Sequence, residues 1–443
     1  MQYSPFAAID IGSYDVILEI FEISKKQGIR SVDKICHRME LGKDTYTLGK
    51  IRPEMEEELC RVLADFVRIM EGYRVDDYRA TASSAISEAS NSLYVLGKIH
   101  QLTGLSVTVL SNSEQRFLSY KALAAMEDNF NKIIEKGTAI LDLDGGSFQI
   151  SLFDKDALVT TQNIRMGSLR IRERLAGIQS ETEHYEEMVE ELIWNEVSSF
   201  KKMYLKDRKI ENIMLIGDVF TDSVYQNIEE KTTKIISREN FNTWYEKIIR
   251  QSPMELAVKL GIPLENASLM YPSAVIYKCL IDMMGAEHIW IPGVHMTRGI
   301  AYEYAEQMKL LKGGHNFEND ILMAAKNIGK RYAVNRPHVQ NLEMTALAMF
   351  DATKKMHGMK ERERLLLQMA VMLHDVGKYI SFNNVADSSY NIIMSNEIIG
   401  LSHIEREMVA LIARYNTVTL PSYDELVMES SLSAEQYLTV SEL

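Results

Sequence analysis

The feature that most constrains this chain is a short pattern written twice: strand, aspartate, glycine, serine, strand. In Thr138 to Ser151 (TAILDLDGGSFQIS) an apolar run closes on Asp142, a glycine pair follows at Gly145 and Gly146, and alternation resumes at Phe148. That spacing predicts a strand, a tight turn and a second strand. Glycines in such a turn let successive backbone N–H groups converge on one point, as a phosphate-binding nest requires. The N-terminus carries an echo: Phe6 to Ile11 (FAAIDI) runs into Gly12 and Ser13, and VILEIFEI alternates from Val16 to Ile23. Two such hairpins, each in its own sheet-and-helix lobe, would face one another across a cleft. Asp10 and Asp142, at the strand ends, could hold Mg²⁺ directly or through water.

At 443 residues the chain suggests two to four domains of ordinary size. A net charge of −13 argues against a generally basic surface for duplex nucleic acid or anionic membrane. Cys36, Cys60 and Cys279 show no CxxC spacing, so neither a zinc knot nor a disulfide framework is implied, and all three are expected in the core. The N-terminus lacks the pattern of a signal peptide, and no apolar run reaches the ~18 residues of a membrane span; a cytoplasmic protein is expected.

Along the chain, Val32 to Leu41 reads as a strand and Pro53 opens a helix with Leu59, Leu63, Phe66, Val67 and Met70 on one face. Arg79 to Ala85 reads as a strand leading into a helix over Ser87 to Leu102, and Ser106 to Leu110 as another strand. Asn112 and Gln115 stand at capping-box spacing before the next helix, with Glu114 in its first turn. The first lobe ends near Asn129. The second contains strands at Ala157 to Ile164, Asn212 to Ile216 and His288 to Ile291. Its helices are expected at Glu181 to Tyr204, Glu239 to Arg250, Met254 to Leu260 and Pro272 to Met284, and Arg298-Gly299 leads into one ending at Leu311. Lys312-Gly313-Gly314-His315 reads as a linker, and from Asn316 onward the periodicity is helical. The expected organisation is lobe I over 1–129, lobe II over 130–312 and an all-α region over 313–443.

These segments, in this order, resemble the exopolyphosphatase and guanosine pentaphosphate phosphatase (Ppx/GppA) family of actin-like phosphotransferases. Phe6 to Leu18 is similar to the family's first phosphate loop, TASSAISEASN to its ATSAxREAxN segment, and VLSNSEQRFLSY to the segment holding its catalytic glutamate. LDLDGGSFQI resembles the second phosphate loop, NIRMGSLRIRE the SLPLGAVRLTE-type turn, and Arg298-Gly299 a late RxG segment. The C-terminal region, with HDVGK at His374 to Lys378, resembles a helical HD-type domain. The resemblance implies an α/β fold of two actin-like (ribonuclease H-like) lobes with mixed sheets around a cleft, followed by an all-α HD-like domain. It implies Mg²⁺- or Mn²⁺-dependent hydrolysis of a terminal phosphoanhydride in polyphosphate or guanosine pentaphosphate. Glu114 would be the general base, Gly12, Ser13, Gly145, Gly146, Ser147 and Arg298 the phosphate contacts, and Asp10 and Asp142 the metal ligands. Relatives of this kind are usually dimers, so a homodimer is compatible with the resemblance.

The pattern also departs from the family. Tyr14, Asp15 and Ile17 replace the asparagine, serine and arginine of the first loop, and Ser87 replaces the arginine of REA. Asp144, Phe148 and Gln149 replace a glycine, a threonine and a metal-associated glutamate in the second, and Ile216-Gly217-Asp218 stands for a GGT turn. Two lost arginines and one lost carboxylate imply reduced or abolished turnover, leaving a catalytically impaired binder of phosphorylated ligands as the alternative. A third reading gives a metal phosphohydrolase site to His338, His374 and Asp375, with Asp387 and Asn416 at further ligand positions. The plainer readings are a carboxylate at a helix start for Glu114, a solvated helix edge for Arg170, Arg172 and Arg174, and structural or exposed roles for His288, His295 and His403.

Overall fold

The computed structural model describes residues 4–126, 130–176, 185–217, 219–227, 234–311 and 315–443. Asn129, the start of the helix expected from Glu181, Asp218 and 312–314 of the expected linker lie outside them. The first sheet comprises β1 (Ser4–Ile11), β2 (Asp15–Ser24), β3 (Gly28–Arg38), β4 (Asp77–Ala82) and β5 (Val107–Val109), in the order β3-β2-β1-β4-β5. The second comprises β6 (Thr138–Leu143), β7 (Phe148–Asp154), β8 (Ala157–Ile164), β9 (Asn212–Ile216), β10 (Ile235–Ser237) and β11 (His288–Trp290), in the order β10-β11-β9-β6-β7-β8. Each sheet pairs a hairpin antiparallel and then adds a parallel strand on the other side of the hairpin's first strand: β1 lies between β2 and β4, β6 between β7 and β9. The chain has therefore built the same unit twice. Asp10 sits opposite Ile17 and Thr81, and Asp142 opposite Gln149 and Ile216, at matching positions.

The unbroken apolar character of β1 follows from burial on both faces. Ala7, Ile9 and Ile11 pack toward Leu59, Leu63 and Phe66 of the Pro53–Gly72 helix. Phe6 and Ala8 pack on the opposite face with Leu118, Ile300 and Tyr304. There Gly299 lets two helices touch, because a Cβ at that position would lie 2.1 Å from the Leu118 carbonyl oxygen.

Several boundaries differ from the sequence reading. The strand expected to reach Leu41 ends at Arg38, where the Leu41–Leu48 helix takes over. The helix expected over Ser87 to Leu102 is two pieces, Ser84–Ser87 and Ser92–Thr103. Pro272 does not open a helix but lies inside Leu264–Met284, which starts after Pro263. Burial of Asn266, Leu269 and Met270 extends that helix toward its N-terminus, tertiary packing outweighing the local break. Arg298 and Gly299 likewise lie inside the Met296–Gln307 helix rather than before it.

The chain divides into two compact units, one of Met1–Asp156 with Gln162–His315 and the other of Ala157–Thr161 with Asn316–Leu443. The second unit is helical from Phe317 onward, and Phe350, Leu367 and Val371 form a core within it. Among the described residues no helix is long and apolar enough to cross a membrane.

Candidate active site

The two hairpin turns of the first unit open onto a cavity of about 190 Å³. Asp10, Gly12 and Asp15 reach it from the first turn, Asp142, Asp144 and Gly145 from the second, and Gln115, Arg116 and Ser119 from the Asn112–Met126 helix. Burial pushes the Asp10 carboxyl well above the usual carboxylate range, and the neighbouring charges of Asp15 and Asp144 add to the effect. Burial also raises Asp15 and Asp142, although Arg38 and Arg116 oppose it. Arg116 Nη1 donates to Asp142 Oδ1 at 2.6 Å, both side chains being about 95% buried. Among the described residues Asp10 Oδ1, Asp142 Oδ2 and Arg116 Nε are buried without a hydrogen-bond partner. Gly217, at φ 103°, permits this arrangement: a Cβ there would lie 2.6 Å from Asp142 Oδ1.

The nests are partly filled by the chain itself. Gly12 N–H donates to the Asp15 carbonyl at 2.8 Å, and Gly145 N–H to Asp144 Oδ1 at 2.6 Å. Ser13 is fully buried, with its hydroxyl 2.7 Å from the Tyr46 hydroxyl. Tyr46 also bonds Ser84 at 2.9 Å and lies against Gly146, where a Cβ would meet its hydroxyl at 2.2 Å. One tyrosine thus links the first turn to the second. Burial pushes its phenol up to about 12.

A model of the Ppx/GppA phosphatase family matches residues 20–308, and one of the family's domain III matches 322–441. The chain belongs to the Ppx/GppA phosphatase family. It is 19% identical over 445 residues to a guanosine-5'-triphosphate,3'-diphosphate pyrophosphatase of Vibrio atlanticus, covering 99% of this chain and 86% of that protein. It is 21% identical over 310 residues to a bifunctional 3-dehydroquinate synthase/phosphatase of Fusobacterium nucleatum, covering 64% of this chain but only 44% of that longer protein. The chain's fold matches an exopolyphosphatase from Cytophaga hutchinsonii (TM-score 0.61, 17% identity, 70% of this chain and 100% of that one). It also matches the Aquifex aeolicus Ppx/GppA protein (TM-score 0.57, 17% identity, 69% and 99%). Two mixed sheets with helices are thus the actin-like Ppx/GppA fold, followed by an all-helical region.

Against the Ppx/GppA pattern, the cavity gathers Asp10, Gly12, Asp142 and Gly145 of the expected residues. Ser13, Gly146 and Ser147 lie behind the wall, bonded to or packed on Tyr46 and Arg116. Arg298 is half-buried and is not among the described residues lining the cavity. Nor is Glu114: its Oε2 accepts from the Ser111 N–H at 2.9 Å and hydroxyl at 2.7 Å, while Ser111 Oγ caps the Glu114 N–H. The capping box is therefore Ser111 with Glu114, not Asn112 with Gln115. With Gln115, Arg116 and Ser119 facing the cavity at positions i, i+1 and i+4, the 100° helical step carries Glu114 away from it.

Other wall residues were not foreseen. Lys34, Cys36 and Arg38 line the cavity as alternate residues of β3, which the strand period of two explains once the pairing of Arg38 with Asp15 is known. Cys36, expected in the core, is exposed, and burial of its sulfur edge beside Asp15 pushes the thiol up to about 12. His295 also lines the wall, near Asp222. Arg170 and Arg172 are engaged with Glu88 and Glu40, so neither is a bare edge nor a free polyanion contact.

Within the helical unit, His338, His374 and Asp375 bring three ligand atoms within 4.8 Å of one another beside a separate pocket of about 740 Å³. His374 Nδ1 bonds the Val371 carbonyl at 2.8 Å, and Lys378 Nζ lies 2.6 Å from Asp375 Oδ2. Asp387 pairs through Oδ1 with Arg414 at 2.7 Å, and Asn416 donates its Nδ2–H to the Ala413 carbonyl.

Proposed function

We propose that the chain is a slow phosphohydrolase that removes the terminal phosphoryl group of polyphosphate or guanosine pentaphosphate with Mg²⁺ or Mn²⁺. The observation that carries this reading is the pair of buried carboxylates at matching turns, each keeping one oxygen without a partner among the described residues. An acidic pair raised by burial and by the neighbouring charge of Asp144 fits a hard divalent cation, so Asp10 and Asp142 are the residues that would hold it. Bound there, the cation would neutralise charge on the phosphoryl oxygens. The names of the Vibrio and Cytophaga relatives support the substrate class. Glu114, as general base, must leave Ser111 before it can draw a proton from water, which supports slow turnover. In this reading 1–129 and 130–312 are the two lobes and 313–443 the HD-like domain. Three unpaired cysteines favour the cytoplasm.

The test is orthophosphate release from long-chain polyphosphate and pppGpp with Mg²⁺ or Mn²⁺. Release is expected to fall about 100-fold or more in Asp142→Asn and in Glu114→Gln. Release indifferent to both substitutions would sink the site assignment. Absent release, with a melting temperature raised by the same ligands, would instead favour a binder or regulator, the reading supported by Asp144 on the Gly145 N–H. A further reading, an HD-type metal phosphohydrolase, is favoured by His374: its Nδ1 bond to a carbonyl turns Nε2 toward Asp375 Oδ1, 3.4 Å away, where an ion could join them.

A further inference from the structure

The cavity leaves one of its own positive charges incompletely used. Arg116 donates Nη1–H to Asp142 and Nη2–H toward the carbonyl and hydroxyl of Ser147, at 3.4 and 3.3 Å. Its side chain is 6% exposed, yet Nε–H has no acceptor among the described residues. Buried polar groups are normally satisfied, so an orphaned guanidinium N–H marks a place where an acceptor is missing. Ile17, on the same wall, stands where the family's first loop carries an arginine. Two arginines line this wall, and they are not equivalent. Arg38 is 37% exposed, is ion-paired with Asp15 and lies over the Tyr14 ring. Arg116 is enclosed, with its plane fixed from behind by Asp142.

We propose that Arg116 binds the terminal phosphoryl group of the ligand, supplying from the Asn112–Met126 helix the guanidinium that the first loop lacks. The inference rests on the phosphohydrolase reading of the cleft. A guanidinium fork matches two oxygens of a tetrahedral phosphoryl group, which a lysine or a backbone N–H cannot do. Asp10, Asp15, Asp142 and Asp144 outnumber Lys34, Arg38 and Arg116 on the wall, so the favoured ligand is a phosphate chain carrying its own divalent cation rather than a bare anion. Asp142 serves both partners: Oδ1 orients Arg116, and Oδ2 remains for the cation.

The test is calorimetric titration of the whole chain with imidodiphosphate, a non-hydrolysable phosphate pair, in the presence of Mn²⁺, and with Mn²⁺ alone. Arg116→Lys keeps the charge and the contact with Asp142 but loses the fork; it is expected to bind Mn²⁺ as the wild type does and imidodiphosphate about tenfold more weakly. Arg116→Ala is expected to lose more, its fold being checked by circular dichroism; should it not fold, Arg116→Lys decides. Imidodiphosphate binding by Arg116→Lys within twofold of wild type, or an equal loss of Mn²⁺, would overturn the assignment. Wild-type binding that depends on Arg116 without orthophosphate release overturns the hydrolase reading alone. Release with binding indifferent to Arg116 overturns the arginine alone, and a wild type that binds no imidodiphosphate overturns both.

Discussion

At the scale of single residues, Asp10 shows how the site is held at a cost to the fold. Burial first, then Asp15 and Asp144, raise its carboxyl. A group raised in this way contributes stability below the ordinary aspartate value near 4, and loses it as pH rises through the folded value. Asp10→Asn should therefore raise the melting temperature of the metal-free protein at pH 7.5 by about 2 °C or more, change it little at pH 4, and abolish the gain conferred by Mn²⁺. Thermal melts at both pH values check this; a lower melting temperature at pH 7.5 would mean that the carboxylate is stabilising. Gly217 shows the converse dependence, since no side chain other than hydrogen fits beside the Asp142 carboxylate at its positive φ.

Among the elements, the helix from Asn112 to Met126 matters most, because its first turn decides what Glu114 does. Ser111→Ala removes the cap and should cost about 1 kcal/mol in denaturant unfolding. If Glu114 is the base, the same change leaves its carboxylate held by the backbone N–H of residue 111 alone, and phosphate release should rise; unchanged release would show that the Ser111 hydroxyl is not what restrains turnover. The hairpins were legible because alternation, an aspartate and glycines recur at one spacing, and β8 and β9 appear at the bounds their apolar runs define. The β3 wall was not, since Lys34, Cys36 and Arg38 need a register with β2 before their shared face means anything. Arg116 belongs to no motif of its own, since the family pattern in this segment centres on Glu114 two residues earlier. The polar stripe of Gln115, Arg116 and Ser119 was a signal available in the sequence. Pro272 misled because a proline at a helix start is common, while the residues that carried the helix past it are recognisable only by their burial.

At the scale of the molecule, two compact units carry two distinct clusters of ligating groups. His374→Ala should remove one class of Mn²⁺ or Zn²⁺ binding, read by calorimetry, and leave orthophosphate release unchanged. Identical metal stoichiometry in the variant would remove His374 from consideration as a ligand. The carboxylate that Asp144 lays on the Gly145 N–H bears on how the first unit treats its own product. It is an internal competitor, tethered one residue away, whose effective concentration is on the order of millimolar or above and does not fall on dilution. An isolated orthophosphate, making few contacts, competes poorly with it, whereas a chain of phosphates can displace it through several contacts at once. On the phosphohydrolase reading, added orthophosphate is therefore expected to inhibit release only weakly, which an inhibition titration checks.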